Sequence, residues 1–164
     1  MSNLDFTEVS KILEYCRETG KFTWKVRVNS KVPSGSNAGT PQNKGYIFIT
    51  IKGKKILAHR LAWFFEHGEF PNGHIDHING IRTDNRIVNL RVVTCSENLQ
   101  NQRKPRGKNP YVGISAKGDF WQAHIAANGK QKNLGTFKTP EEARDAYIEA
   151  KKTWHPSAPL LTIY

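Results

Sequence analysis

HIDHINGIRTDNRIVNLRVVTCSENLQN, residues 74–101, is the stretch whose reading decides the fold. It is too polar and too rich in turn formers to be a core element. Gly73–His77 reads as a first short strand and Leu90–Val93 as a second. The loop between them carries Asn79-Gly80 and Asp84-Asn85, pairs whose side chains and backbone favour turns. Thr94 followed by Glu97 forms a capping box, so a helix is predicted from about Cys95, with Asn98 one turn inside it. The order is strand, loop, strand, helix. In that arrangement alone can Asp76 on the first strand and Asn98 on the helix converge.

The side chains gathered there suit one chemistry. Cleaving a phosphodiester needs a deprotonated water, charge relief on the phosphate and help for the leaving 3′ oxygen. His77 is the candidate to take the proton from water, a contribution worth about 10²–10⁴-fold. Asp76 and Asn98 are candidates to hold a hard divalent cation, Mg²⁺ or Mn²⁺, as Lewis acid and template. Asn89 is the candidate to fix the loop or the tautomer of His77 by a hydrogen bond. Residue by residue, Asp, Asn and Gly are also ordinary turn formers and a histidine is often a satisfied polar group. The combination on one strand–loop–strand–helix unit is what favours a metal-dependent centre.

On the N-terminal side, residues 5–20 are predicted helical: Asp5 and Glu8 open them, Val9, Ile12, Leu13 and Cys16 keep helical spacing, and Gly20 supplies the stop. Phe22–Val28 alternates as a strand, residues 29–44 read as a loop, and Tyr46–Ile51 with Lys55–Leu57 as a hairpin. A helix is predicted over residues 58–67, ended by Gly68, with Leu61, Phe64 and Phe65 facing a core. On the C-terminal side, Gln102–Asn109 (QRKPRGKN) is a basic linker. Three strands follow at Tyr111–Ser115, Phe120–Ala126 and Lys132–Phe137, the last two joined through Asn128-Gly129. Thr139-Pro140-Glu141-Glu142 starts a helix whose Ala143, Ala146, Tyr147, Ala150 and Trp154 share a face, and His155-Pro156 ends it. No internal repeat relates the two halves.

The 164 residues carry 25 Lys+Arg against 14 Asp+Glu, a formal charge of +11, which favours a polyanion and nucleic acid first among them. With 37% hydrophobic residues any single core is modest. Cys16 and Cys95 form no Cys-x-x-Cys pair, which excludes a zinc ribbon and a disulfide framework and fits a reducing compartment. Neither a signal peptide nor an apolar run of membrane-spanning length is evident. The expectation is a cytoplasmic protein, in the host cytoplasm if the gene is phage-borne, without a membrane partner.

Several motifs carry a resemblance. Asp76-His77-Ile-Asn-Gly, Asp84-Asn85-Arg86, Asn89-Leu90-Arg91 and Thr94-x-x-Glu97-Asn98 resemble the His-Asn-His (HNH) endonucleases of phage and homing type. The run Ala58-His59-Arg60-Leu61-Ala62-Trp63 resembles the segment leading into that motif. The likeness covers about residues 20–102 and is densest over 56–101. It implies a ββα-metal unit with one divalent ion, His77 as general base, Asp76 and Asn98 as metal ligands, Asn89 as the loop-fixing residue, and products with 5′-phosphate and 3′-hydroxyl ends. Asn98, where the family often has His, implies the His-Asn-Asn subset and a weaker ligand. The lack of flanking Cys pairs implies the subset without structural zinc. His59 and His74 are candidates for lining the cleft. His67 and His155 read as helix C-terminal residues. Arg82 and Arg86 are candidates for phosphate contacts, and Arg91 for those or a structural role.

The second half resembles the APETALA-type (ethylene-response-factor) DNA-binding domain through Tyr111-Val-Gly-Ile, Phe120-Trp121-x-Ala123-x-Ile125, Leu134-Gly135-Thr136-Phe137 and Glu141-Glu142-Ala143-x-x-Ala146-Tyr147. That resemblance implies a three-stranded sheet in the major groove, with Ser115, Lys117, Trp121, His124, Lys130 and Lys132 at its DNA-facing positions. Arg103, Lys104, Arg106 and Lys108 of the linker add phosphate-binding candidates. Trp121 also fits a core position, and the arginines of the plant domains are missing from these strands, so base preference does not carry over.

The expected fold is α+β. Residues 1–55 form a helix and β-hairpin extension, 56–102 the ββα-metal nuclease, 103–109 the linker, 110–156 a small antiparallel sheet with one helix, and 157–164 a tail. The expected function is a metal-dependent endonuclease acting on double-stranded DNA as a monomer or weak dimer. The alternatives are a non-catalytic DNA-binding regulator on a nuclease fold, and a nuclease acting on RNA or on DNA without sequence preference.

Overall fold

The computed structural model describes residues 5–101, 105, 107–127, 129–156 and 158. The fold is α+β, with small antiparallel sheets and four α-helices among the described residues. The chain divides into two compact units, Met1–Val92 and Val93–Tyr164.

In the first unit, α1 (Phe6–Ile12) starts where the Asp5 carboxylate accepts from the Thr7 N–H at 3.0 Å. It ends eight residues before the predicted stop. Leu13–Cys16 leaves the helix as strand β1 and pairs antiparallel with β2 (Lys21–Trp24), Leu13 opposite Trp24 and Tyr15 opposite Phe22. Helical spacing and strand alternation both bury Leu13 here, and the cross-strand partner decides between them. Gly20, at φ +69°, takes the left-handed conformation in the β1–β2 turn rather than in a helix cap. The second strand stops at Trp24, short of Val28; the Lys25 N–H makes one further bond, to the Ile12 carbonyl at 2.9 Å, where the partner segment is already helix. Within the predicted loop, β3 (Asn37–Ala38) adds to β2, and β4 (Thr40–Pro41) adds to the hairpin of β5 (Ile47–Ile51) and β6 (Lys54–Leu57). The predicted helix over residues 58–67 is α2 (Ala58–His67), closed by Gly68 at φ +76°.

After α2, β7 (His74–His77) and β8 (Leu90–Val93) form a two-stranded ribbon joined by a loop that ends in a short 3-10 turn, Ile87–Asn89. One core serves all of this. Val9, Leu13, Phe22 and Trp24 from the N-terminal elements pack with Ile49, Ile51, Leu61, Phe64, Ile75 and Leu90. The N-terminal extension and the ribbon therefore stand or fall together.

In the second unit, α3 (Cys95–Gln100) opens on the predicted capping box. Thr94 Oγ1 accepts from the Glu97 N–H at 3.2 Å, and Glu97 Oε2 accepts from the Thr94 N–H at 2.8 Å. A three-stranded sheet follows, β9 (Ile114–Lys117), β10 (Phe120–Ala127) and β11 (Lys130–Phe137), with β10 central. The first of these begins three residues later than predicted. Gly113 takes φ +78° and lies so close under the Tyr147 ring that a Cβ there would stand 2.1 Å from it. The last helix, α4 (Pro140–Trp154), has its own complete capping box from Thr139 and Glu142, with Pro140 in the first turn. It packs Ala143 and Tyr147 onto Val112, Ile114, Ala123 and Ile125. No helix among the described residues is long and apolar enough to cross a membrane.

Candidate active site

The site is built at the C-terminal end of β7, where alternation breaks. His74 is exposed, while Ile75, Asp76 and His77 are all buried. A strand can bury three consecutive residues when both faces are covered, and here two elements do the covering. From α2, Arg60 donates to the carbonyls of Gly73 and Pro71 at 3.1 Å each, fixing the approach to the strand. From the same helix, His59 meets His77 with ring centroids 5.1 Å apart and planes at 88°. Tyr46, just before β5, closes the cluster at 5.4 Å from His59 and 6.1 Å from His77. His59 is thus a buried wall of the site rather than a polar helix-face residue.

Burial controls the electrostatics of this cluster. It pushes His59 down to about 3, with His77 and Arg60 adding to the effect. Burial also pushes His77 down, against the hydrogen bond to Asn85 and the charges of Asp76 and Asp84, which pull it up. Both imidazoles are neutral near pH 7, the form in which a histidine accepts a proton.

The loop is held by a network of carboxamides. Asn89 Nδ2 donates to the Asp84 carbonyl at 2.8 Å, and its Oδ1 accepts from the Asn79 N–H at 2.9 Å. Asn79 adds a second tie across the loop, its Nδ2 donating to Asp84 Oδ2 at 2.7 Å. The hydrogen bond to His77 comes from a different residue. Asn85 Oδ1 lies 3.2 Å from His77 Nε2, and Asn85 is only 1% exposed. Asp84 is held down to about 2, chiefly by Arg86, whose Nε and Nη2 reach its two carboxylate oxygens at 2.8 and 2.7 Å.

Asp76 faces Arg91 across the ribbon. The guanidinium Nε and Nη2 both donate to Asp76 Oδ2, at 3.0 and 2.8 Å. Arg91 therefore belongs to the centre as the countercharge of a buried carboxylate. Arg82 donates to the Lys44 carbonyl at 2.7 Å and lies over the Tyr46 ring at 4.9 Å, so it buttresses the cluster. His74 stands at the exposed start of β7, with no side-chain hydrogen bond or ring contact among the described residues. Asn98 is exposed on α3, in the second unit. Among the described residues no three His, Cys, Asp or Glu side chains gather as a metal cage.

Residues 57–100 match the family model described as HNH endonuclease. They form an HNH endonuclease domain. Two curated relatives match part of the chain. Protein 3.8 of Escherichia phage T7 is 32% identical over 80 residues, covering 46% of this chain and 66% of that protein. An uncharacterised HNH endonuclease of Acanthamoeba polyphaga mimivirus is 40% identical over 79 residues, covering 43% of this chain and 19% of that protein. Both relatives are viral, and the chain spans less than two thirds of the length of either. No solved structure matches it. The HNH domain holds Asp76, His77, Asn89 and Asn98, and it also holds Arg91, read from the sequence as a phosphate contact or a structural residue, and Asn85, whose role the sequence did not single out. The one available signal was spacing, since Asp84-Asn85 lies directly in the motif but reads locally as a turn.

The sheet of the second unit sorts its candidates by register. Paired residues of antiparallel strands share a face, and Trp121 pairs with Phe137, Ile125 with Lys132 and Ala127 with Lys130. These lie on the helix side: Trp121 packs against Ile114, Ala123 and Ala143, and Lys132 Nζ sits 5.9 Å over the Trp154 ring. Of the predicted DNA-facing set, Trp121, Lys130 and Lys132 therefore lie on the helix-covered face instead. The open face carries Ser115 opposite Gln122, Lys117 opposite Phe120, and His124 opposite Asn133. Lys108 is exposed ahead of the sheet. Arg103, Lys104 and Arg106 lie outside the described residues.

Proposed function

We propose that this chain is a metal-dependent endonuclease that hydrolyses phosphodiester bonds in double-stranded DNA, leaving 5′-phosphate and 3′-hydroxyl ends. The observation that carries the reading is a neutral, buried His77 beside the carboxylate of Asp76 in an HNH domain. In this reading His77 takes the proton from the attacking water, and Asn89 keeps the loop in place around it. Asp76 and Asn98 would hold one divalent ion, Mg²⁺ or Mn²⁺. One carboxylate and one carboxamide are too few donors for an all-protein cage. They suit a hard cation that keeps waters and takes substrate phosphate oxygens. When bound, such an ion supplies Lewis-acid stabilisation of phosphate and leaving oxygen. The open face of the second unit, resembling the APETALA-type domain, and the basic segment before it would anchor the duplex. A single centre per chain nicks one strand, acting as a monomer or weak dimer.

A second reading, a DNA-binding regulator on a nuclease fold, draws on the Arg91 fork, which satisfies Asp76 Oδ2 without a metal ion. Supercoiled plasmid incubated with Mg²⁺, Mn²⁺ or chelator separates the two. The nuclease reading expects nicked product with metal, none with chelator, and a His77→Ala variant that binds DNA as wild type does but cuts at least a hundredfold more slowly. Undiminished cutting by His77→Ala removes the histidine from the mechanism, and no cutting under any condition leaves the regulator.

A further inference from the structure

The hydrogen bond on His77 leads back to the N-terminal hairpin. Asn85 has two amide neighbours: its Oδ1 faces His77 Nε2 at 3.2 Å, and its Nδ2 faces the Thr83 carbonyl at 3.4 Å. Turning the amide over would set oxygen against oxygen at Thr83, so only one orientation satisfies both contacts. Oδ1 accepts, hence His77 carries its proton on Nε2 and its lone pair on Nδ1. Asn85 thereby selects which imidazole nitrogen is basic.

Asn85 is held from outside the nuclease ribbon as well. Tyr15 on β1 donates its hydroxyl to the Asn85 carbonyl at 2.8 Å. The β1–β2 turn presses its backbone onto the same two residues. A Cβ added to Gly20 would stand 2.4 Å from the Arg86 nitrogen and 2.6 Å from the Asn85 carbonyl carbon. At φ +69° and with that approach, only glycine fits. The side chain of Asn85 is closed off from water, and a buried carboxamide costs more than a hydrocarbon of the same shape unless its hydrogen bonds are needed. We propose that Asn85 is the positioning residue for His77, and that the N-terminal hairpin, through Tyr15 and Gly20, is the clamp that holds it there. This rests on the nuclease reading only for its kinetic consequence; the tautomer is independent of it.

Two measurements on the full chain test the clamp. Nitrogen-15 NMR of the histidine rings reads the His77 tautomer directly, and plasmid nicking with Mg²⁺ gives kcat and KM. Asn85→Leu keeps the volume and removes the acceptor. The expected result is a folded protein with a mixed His77 tautomer and a kcat lower by about ten- to a hundredfold at little changed KM. Asn85→Asp keeps an acceptor, so it restores the Nε2–H form and much of the rate, with the pH profile moved upward by the added charge. Tyr15→Phe keeps the ring and removes the clamp's hydrogen bond. It should shift the tautomer and kcat in the same direction by a smaller factor, and it decides the matter if Asn85→Leu does not fold. An unaltered Nε2–H tautomer in either folded hydrocarbon variant overturns the proposal. If wild type cuts no DNA, the nuclease reading falls, and the tautomer result still decides the clamp.

Discussion

Two buried groups at the centre set its response to acid and to metal. His59 has a folded-state value near 3 against about 6.5 for an exposed histidine, so the unfolded chain binds the proton more readily. Stability from this group is therefore complete above about pH 7. It is lost as pH falls, by about 1.4 kcal/mol per unit between 6.5 and 3. Urea melts at pH 7 and pH 5 should differ by about 2 kcal/mol, and His59→Leu should remove most of that difference. Equal slopes in both proteins would mean that His59 is not the acid-labile group. The second group is the Asp76–Arg91 pair, whose side chains are 8% and 24% exposed. Arg91→Met leaves a buried carboxylate without its countercharge and should cost about 1–3 kcal/mol. A divalent cation can then take over that role. Millimolar Mg²⁺ should raise the Tm of Arg91→Met more than that of wild type, and an equal rise would argue against Asp76 as a ligand. The sequence offered His59 as a cleft candidate and Arg91 as a structural one, but not these pairings. Asp76 and His77 stand out there, but their partners Arg91, Asn85 and His59 are chosen by packing between elements far apart along the chain.

Among the elements, those with local signatures were readable and those that depend on a distant partner were not. Thr94 with Glu97 and Thr139 with Glu142 announce α3 and α4 because both halves of a capping box lie within four residues. Gly68 ends α2 for an equally local reason. Leu13–Cys16 is different: the same four residues satisfy a helical face, and only pairing with β2 makes them a strand. Register had the same effect in the second unit, since alternation along β10 gives two faces but not which one the helix covers. The bulge between Ala123 and His124 then reverses the phase on β11, which carries Lys130 and Lys132 to the helix side. Gly113 shows how tightly that helix is seated. Gly113→Ala would bring a Cβ to 2.1 Å from the Tyr147 ring at a φ of +78°. The cost should be about 2–4 kcal/mol, confined to the second unit. Amide exchange should rise across β9–β11 and α4 while α2 and β7 keep their protection. Loss of protection in both units would show that they unfold as one.

At the scale of the whole molecule, the +11 charge matters less than how much of it is already spent. Arg60 serves backbone carbonyls, Arg86 serves Asp84, Arg91 serves Asp76, and Arg82 is engaged with Lys44 and Tyr46. These four cations are part of the fold of the first unit, and their loss would disturb the centre before it weakened DNA binding. Two exposed lysines of the second unit show no such duty among the described residues. Lys117 on the open sheet face and Lys108 ahead of it show no ion pair among the described residues. Each phosphate contact contributes about 0.9 to the slope of log K against log salt for duplex DNA. Lys108→Ala with Lys117→Ala should therefore lower that slope by about two and weaken binding evenly across sequences. Because neither residue has a part in the proposed chemistry, nicking of saturated plasmid at low salt should keep its wild-type kcat. Arg86→Ala should behave oppositely, with a lower kcat through a loosened loop and little change in slope. A salt slope that moves with Arg86 but not with the two lysines would place the duplex on the first unit instead. The sheet of the second unit would then need another role.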